Sequence, residues 1–194
     1  MIILLTGARR VGKSTVCQRL VEEGRRRGKR IGGFISPALF NQQGEKTGAY
    51  LQDLRTGEMR LQYSTGAAGE QAGPRVGPFV MDPEVLRWGM QLVEEALRAG
   101  DDLVIIDEIG PLELLRGEGF APLLDTVGDY PNARVLIVVR PELVEALQER
   151  LAGTAHAPIW RVEVTLDNRN ALPEELAGRL WGTPARPAPQ HPYF

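Results

Sequence analysis

The chain has 194 residues, 43% of them hydrophobic and 25% charged, a composition that suits one globular domain with its own apolar core. A formal net charge of -2 gives no general attraction to nucleic acid or anionic lipid, and the single cysteine, Cys17, excludes a disulfide framework and a cysteine-rich zinc site. The longest apolar runs, such as Val135 to Val139, are strand-sized, and a strand begins at Ile2 without a basic leader, so the expectation is a cytoplasmic protein with no membrane segment.

Ile2-Ile3-Leu4-Leu5 is a short continuous apolar run, the pattern of a strand buried on both faces, and Gly7 ends it. A helix follows from Lys13 to about Arg27, with Val16, Cys17, Leu20 and Val21 at helical spacing and Gly28 as its stop. Between them stands Gly7-Ala8-Arg9-Arg10-Val11-Gly12-Lys13-Ser14, which fits G-x-x-x-x-G-K-[ST] in the strand-to-helix context that makes this phosphate loop specific. Phosphate oxygens need many donors in a small concave space. This turn offers backbone N–H groups from Arg10 to Thr15, the positive end of the helix and the Lys13 ammonium.

Gly7 through Thr15 are therefore the expected phosphate-binding residues, and Ser14 can ligate a magnesium ion bridging the β and γ phosphates of a nucleoside triphosphate. Only Lys13, Lys29 and Lys46 among the 23 basic residues are lysine, yet lysine stands where a compact ammonium is useful. Lys13 is expected to serve catalysis as well as binding. Arg9 and Arg10 lie inside the loop, and Arg10 is the better placed of the two to meet charge developing on a transferred phosphoryl group; the alternative is a pair of solvent-facing arginines.

The basic cluster Arg25, Arg26, Arg27, Lys29 and Arg30 falls where the first helix ends, and the carbonyl end of the helix dipole explains it better than a nucleic-acid partner. Ile31 to Ser36 reads as a second strand. From Pro37 to about Val80 the chain becomes short, alternating and punctuated by glycine, which predicts an antiparallel β-hairpin insertion with strands Thr47 to Leu54 and Glu58 to Tyr63. An irregular loop over Ala67 to Pro78 completes the insertion. Asp82-Pro83 then opens a helix running to about Arg98, with Val85, Leu86, Leu92, Val93, Ala96 and Leu97 inward.

Leu103 to Ile106 is a buried strand ending in Asp107, the carboxylate expected to share the magnesium with Ser14. Glu108 follows and could polarise a water for in-line attack on the γ-phosphate. Glu113 is a weaker candidate, for positioning that water or for supporting the groups around the ion from behind, while Asp101 and Asp102 sit at the opposite end of the strand as turn residues. Arg134 to Val139 and Trp160 to Val164 are further strands, separated by a helix from Pro141 to Leu151, and a last helix runs from Pro173 to about Leu180. His156 and His191 are too isolated to suggest a metal site. Strands alternating with helices imply a parallel α/β sheet over residues 1–181, followed by a proline-rich tail over 182–194.

With these pieces in place, the chain resembles the small P-loop nucleoside triphosphatases typified by the thermophile nucleoside-triphosphate phosphohydrolases and the human cancer-related nucleoside triphosphatase. The resemblance rests on the loop running into Lys13-Ser14-Thr15, on Gly32-Gly33-Phe34 before the hairpin and on Val76-Gly77-Pro78-Phe79-Val80 before a helix. It rests more specifically on Asp107-Glu108-Ile109-Gly110-Pro111-Leu112-Glu113-Leu114 and on Val164-Thr165-Leu166-Asp167-Asn168-Arg169-Asn170-Ala171-Leu172-Pro173.

The resemblance implies hydrolysis of ATP, GTP and, by extension, CTP and UTP to diphosphates, with Asn168 and Arg169 near the base. It also implies the P-loop NTPase three-layer fold, and together with a glutamate directly after Asp107, typical of P-loop folds with a strand inserted between the two phosphate-site strands, it points to a parallel five-stranded core in the order fifth, first, fourth, third, second. Three positions depart from the family pattern. Arg9-Arg10 replaces a usual proline-glycine pair, Asn170 a common aspartate and Asp167 a usual glutamate. An arginine at position 10 also resembles thymidylate kinases, which keeps a phosphotransferase open beside the hydrolase, and a nucleotide-dependent switch is the third alternative.

Overall fold

The computed structural model describes residues 1–65, 73–154 and 157–182. Residues 183–194 of the proline-rich tail, His156 and the Ala67 to Ala72 part of the expected glycine loop lie outside the described residues, and His191 falls within that tail.

Five parallel strands form the centre: β1 (Ile2–Thr6), β2 (Ile31–Ile35), β8 (Leu103–Ile109), β9 (Val135–Val139) and β10 (Ile159–Glu163). They lie side by side as β10-β1-β9-β8-β2, so β9 separates the strand that leads into the phosphate loop from the strand that carries Asp107. That is the expected relative order of the five.

The expected parallel five-stranded sheet is only the centre of a larger mixed sheet. Beyond β2 the same sheet continues through β4 (Lys46–Asp53), β5 (Met59–Thr65), β7 (Phe79–Met81) and β6 (Arg75–Val76), all antiparallel, while β3 (Ala38–Phe40) pairs with β4. The result is a mixed sheet of ten strands among the described residues. The physical reason lies in β2, which would otherwise end the sheet with unpaired N–H and C=O groups; Phe34 and Ile35 instead pair with Asp53 and Gln52 of β4.

Side chains alternate across the core strands and build two apolar layers. Ile3, Leu5, Ile105, Leu136 and Val138 face α1 (Lys13–Arg26) and α6 (Leu172–Trp181), meeting Val16, Leu20, Leu176 and Leu180. Ile2, Leu4, Val104, Ile106, Val135 and Ile137 face the other way, toward α2 (Pro83–Arg98), α4 (Pro122–Gly128) and α5 (Val144–Ala152). This is the three-layer arrangement that near-continuous apolar strands require.

Asp82 caps α2 by accepting from the backbone N–H groups of Glu84 at 2.8 Å and Val85 at 3.3 Å, with Pro83 in the first turn. The predicted helix from Pro141 begins instead as a 3-10 turn over Pro141–Leu143. The basic cluster is spent on structure: Arg25 donates to the Leu54 carbonyl, Arg27 pairs with Glu23, and Arg30 donates to the Gly100 carbonyl at 2.7 Å. No helix among the described residues is long and apolar enough to cross a membrane.

Candidate active site at the carboxyl ends of the parallel strands

β1 delivers the chain into the phosphate loop with little freedom. Gly7 has φ 143°, and a Cβ there would stand 2.4 Å from the Val164 carbonyl oxygen, so only glycine lets the loop leave the strand against the segment after β10. Gly12 ends the loop at φ 111° and α1 begins at Lys13. The Lys13 ammonium folds back over the loop and donates to the carbonyls of Gly7 at 2.7 Å and Ala8 at 3.1 Å. Partial burial lowers the Lys13 pKa from its usual 10.5, opposed by the negative charges of Glu108 and Asp107. Those two carboxylates therefore lie within electrostatic reach of the ammonium although they are almost a hundred positions away in sequence.

Asp107, 3% exposed at the end of β8, is the most buried carboxylate at this edge. The Ser36 backbone N–H donates to its Oδ2 at 3.4 Å, and the nearby Ser14 side chain favours its charged form. The Ser36 hydroxyl reaches both the Asp107 carbonyl and Gln62 Oε1; with one proton it can donate to only one of them at a time. Burial, then the neighbouring Glu108 charge, raises the Asp107 pKa from 3.8 to about 6, against the opposing pull of Ser14, Ser36 and Lys13.

This shift predicts an unusual pH dependence. With a folded-state pKa above the unfolded value, the folded chain binds the proton more tightly, so the charged Asp107 costs stability progressively from about pH 4 to about pH 6 and fully above that. The penalty is of order 3 kcal/mol at most, at about 1.4 kcal/mol per pKa unit. Asp107→Asn is therefore expected to melt several degrees higher than the parent at pH 8 in chelator, an advantage that largely vanishes at pH 4. Equal melting temperatures at pH 8 would contradict it.

Ser14 and Asp107 offer oxygen donors only, which suits a hard divalent cation such as magnesium. Among the described residues no group of three or more His, Cys, Asp or Glu side chains could hold a metal unaided.

Glu108 follows Asp107 across a cis peptide bond. It is half-buried, and its Oε1 accepts from Nε of Arg140 at 3.0 Å. Arg140 was not singled out from sequence. It immediately follows β9, the strand between β1 and β8, and ligands of open parallel sheets gather at the carboxyl ends of such strands. Once the strand order is known, that rule points to it.

Glu113 requires a correction. It is 7% exposed, and its two oxygens accept from the backbone N–H groups of Gly110 at 2.8 Å and Phe120 at 3.2 Å. A carboxylate used to cap α3 (Pro111–Arg116) and to hold the loop after it is not available to position water.

Asn168 is similarly engaged in its own turn, its Oδ1 accepting from the Thr165 N–H at 2.8 Å and its Nδ2 donating to the Glu163 carbonyl at 2.8 Å. That turn presents Arg169, whose stem runs beside Gly12 and whose Nη1 donates to the Val11 carbonyl at 3.4 Å. Arg9 is exposed, as is Arg10. Arg10 adopts φ 62°, the left-handed region that favours glycine, and its guanidinium reaches the Gly44 carbonyl at 3.5 Å and the Phe40 ring at 5.7 Å.

The NTPase family profile matches residues 2–177. The nucleoside-triphosphatase THEP1 of Pyrococcus abyssi is 37% identical over 91% of this chain and 90% of its own length. That of Thermofilum pendens is 32% identical over 94% and 97% respectively. Among solved structures, THEP1 from Aquifex aeolicus superposes with a TM-score of 0.71 at 24% identity, covering 93% of this chain and 99% of its own. A human cancer-related nucleoside triphosphatase gives 0.68 at 23%, covering 94% and 98%. At these identities the two structures establish the shared P-loop NTPase fold.

Proposed function

The chain belongs to the NTPase family, and on that premise we propose that it is a nucleoside-triphosphatase that cleaves the terminal phosphate of ATP, GTP and other nucleoside triphosphates, leaving the diphosphate. The observation that carries this reading is the convergence of Lys13, the Ser14–Asp107 pair and Glu108 at the carboxyl ends of β1 and β8, two strands with β9 between them, beside a loop of phosphate-binding form.

Each residue has work that follows from its chemistry. The N–H groups of Arg10 to Thr15 and the Lys13 ammonium hold the phosphates in line. Ser14 and Asp107 would hold magnesium, which when bound neutralises charge on the β and γ phosphates. Glu108 takes the proton from a water as its oxygen bonds to the γ-phosphorus and the bond from that phosphorus to the β–γ bridging oxygen breaks. Arg10 counters charge on the transferring group, and Arg169 borders the base, with Asn168 shaping the turn that presents it. A cytoplasmic location suits this class of substrate.

The left-handed Arg10 gives a separable prediction. An L-residue there costs about 1–2 kcal/mol, and glycine returns roughly 0.5–1 kcal/mol of that as backbone entropy. Arg10→Gly should therefore fold as stably as the parent or up to about 1 kcal/mol more so by denaturant titration, while its turnover falls about tenfold or more. A stable variant with unchanged turnover would remove Arg10 from the chemistry.

The test of the whole reading is phosphate release from ATP, GTP, CTP and UTP, with and without magnesium and with and without nucleoside monophosphates as acceptors. Magnesium-dependent release from several triphosphates without an acceptor is expected. Transfer to a monophosphate, with negligible release in its absence, would establish the kinase alternative instead.

A further inference from the structure

Glu108 occupies an irregular place in the sheet. Asp107 is opposite Val138 and Ile109 is opposite Val139, so the β8–β9 register shifts between them and Glu108 is the extra residue, without a partner of its own. The shift also breaks the alternation of faces. Ile106 and Ile109, three positions apart, both pack on the α2 side, whereas strict alternation would have sent Ile109 to the other side. A bulge of this kind re-aims a side chain, and here the side chain is the carboxylate expected to activate water.

Arg140 is placed by the same end of the same ladder. It directly follows Val139, the partner of Ile109, and its Nε meets Glu108 Oε1 at 3.0 Å. Among the described residues this is the only hydrogen bond made by either side chain, so the second carboxylate oxygen of Glu108 is left free to accept from another group. Both side chains are partly solvated, at 26% and 35% exposure, so the pair adds little stability; its effect is on geometry.

From this arrangement we propose that Arg140 is a positioning residue for hydrolysis: it holds Glu108 by one oxygen so that the other faces the attacking water. The proposal rests on the assignment of Glu108 as the proton acceptor. A glutamate on three rotatable side-chain bonds, half in solvent, samples several orientations when untethered, and a guanidinium anchored at the end of a fully buried strand selects one of them. Arg140 acts through Glu108, so its removal changes the fraction of time the carboxylate is aligned and not the grip on the phosphates.

The test is a double-mutant cycle with Arg140→Ala, Glu108→Gln and the double variant, measuring steady-state turnover, KM and equilibrium binding of a non-hydrolysable triphosphate analogue. Arg140→Ala should lower turnover about tenfold or more, with KM and analogue affinity within about threefold of the parent. Arg140→Lys, which keeps the positive charge and N–H groups that can reach Glu108, should recover most of the loss. In the Glu108→Gln background, Arg140→Ala should cost less than about threefold more. Multiplicative losses, or loss of analogue affinity in Arg140→Ala, would overturn the proposal by showing that Arg140 meets the phosphates directly. Full activity of Arg140→Ala beside an inactive Glu108→Gln would overturn the proposal alone, whereas full activity of Glu108→Gln would overturn the assignment beneath it. Melting temperatures of each variant separate these results from misfolding.

Discussion

Glu108→Gln is expected to lower turnover at least about a hundredfold while leaving the affinity for a non-hydrolysable triphosphate analogue within about threefold of the parent. The substitution preserves length and shape and keeps an oxygen that can accept from Arg140 Nε, so the local packing has little reason to change. What it removes is the ability to take a proton from water at the moment of attack. Losing a positioned general base costs roughly two to four orders of magnitude, and in the role proposed for Glu108 the loss falls on the chemical step and not on phosphate binding. Turnover and equilibrium binding, measured on the same folded preparation, check both halves. Wild-type turnover would remove Glu108 from the mechanism, and because the Glu113 carboxylate is engaged with Gly110 and Phe120, the search would then move to Glu142, in the 3-10 turn after β9 and within electrostatic reach of Lys13.

Lys13→Ala is expected to produce the contrasting pattern, with weaker analogue binding and slower turnover together, and a combined loss in kcat/KM of about a thousandfold or more. The ammonium is folded over the loop carbonyls of Gly7 and Ala8, where bound phosphates would compete for it. In the role proposed for it, Lys13 meets phosphate charge in the ground state and again in the transition state. The same substitution relieves no apolar strain and opens no cavity in the core, so a melting temperature close to that of the parent should accompany the loss. A variant that still binds the analogue normally would show that the loop's N–H groups suffice for ground-state binding. Lys13 would then act on the transition state alone.

The parts of this site that were legible in the sequence are those encoded locally. The phosphate loop is a contiguous motif between an apolar run and a helical period, and Asp107-Glu108 follows directly from a buried strand. The order of the five parallel strands came from the resemblance together with a glutamate directly after Asp107, and it agrees with the observed order. What escaped was set by pairing across distance. β3, β6 and β7 span only two or three residues and owe their form to the strands beside them, so no period could announce them. The continuation of the sheet past β2 is likewise a matter of which edge β4 finds. α3 and α4, at six and seven residues, are too short to show a helical repeat, although Pro111 and Pro122 stand at their first positions.

Side-chain roles followed the same division. Glu113 and Asn168 looked like free polar groups in sequence, and their partners turned out to be backbone groups of their own loops. Arg140 carried no motif at all. Its place depends on β9 lying between β1 and β8 and on the bulge at Glu108, both properties of the assembled sheet. Arg10 was visible as a departure from a proline-glycine pair, but its left-handed backbone, which makes the departure costly, was not.

The central claim is that water attacks the terminal phosphorus at this edge of the sheet, and oxygen-isotope incorporation tests it most directly. The isolated chain is incubated with ATP and magnesium in water enriched in oxygen-18, and the products are weighed by mass spectrometry. The account predicts label in the released phosphate and none in the diphosphate, because the new bond forms at the γ-phosphorus and the bond that breaks is the one to the bridging oxygen. Label in the diphosphate, or no release of phosphate until an acceptor nucleotide is added, would contradict it.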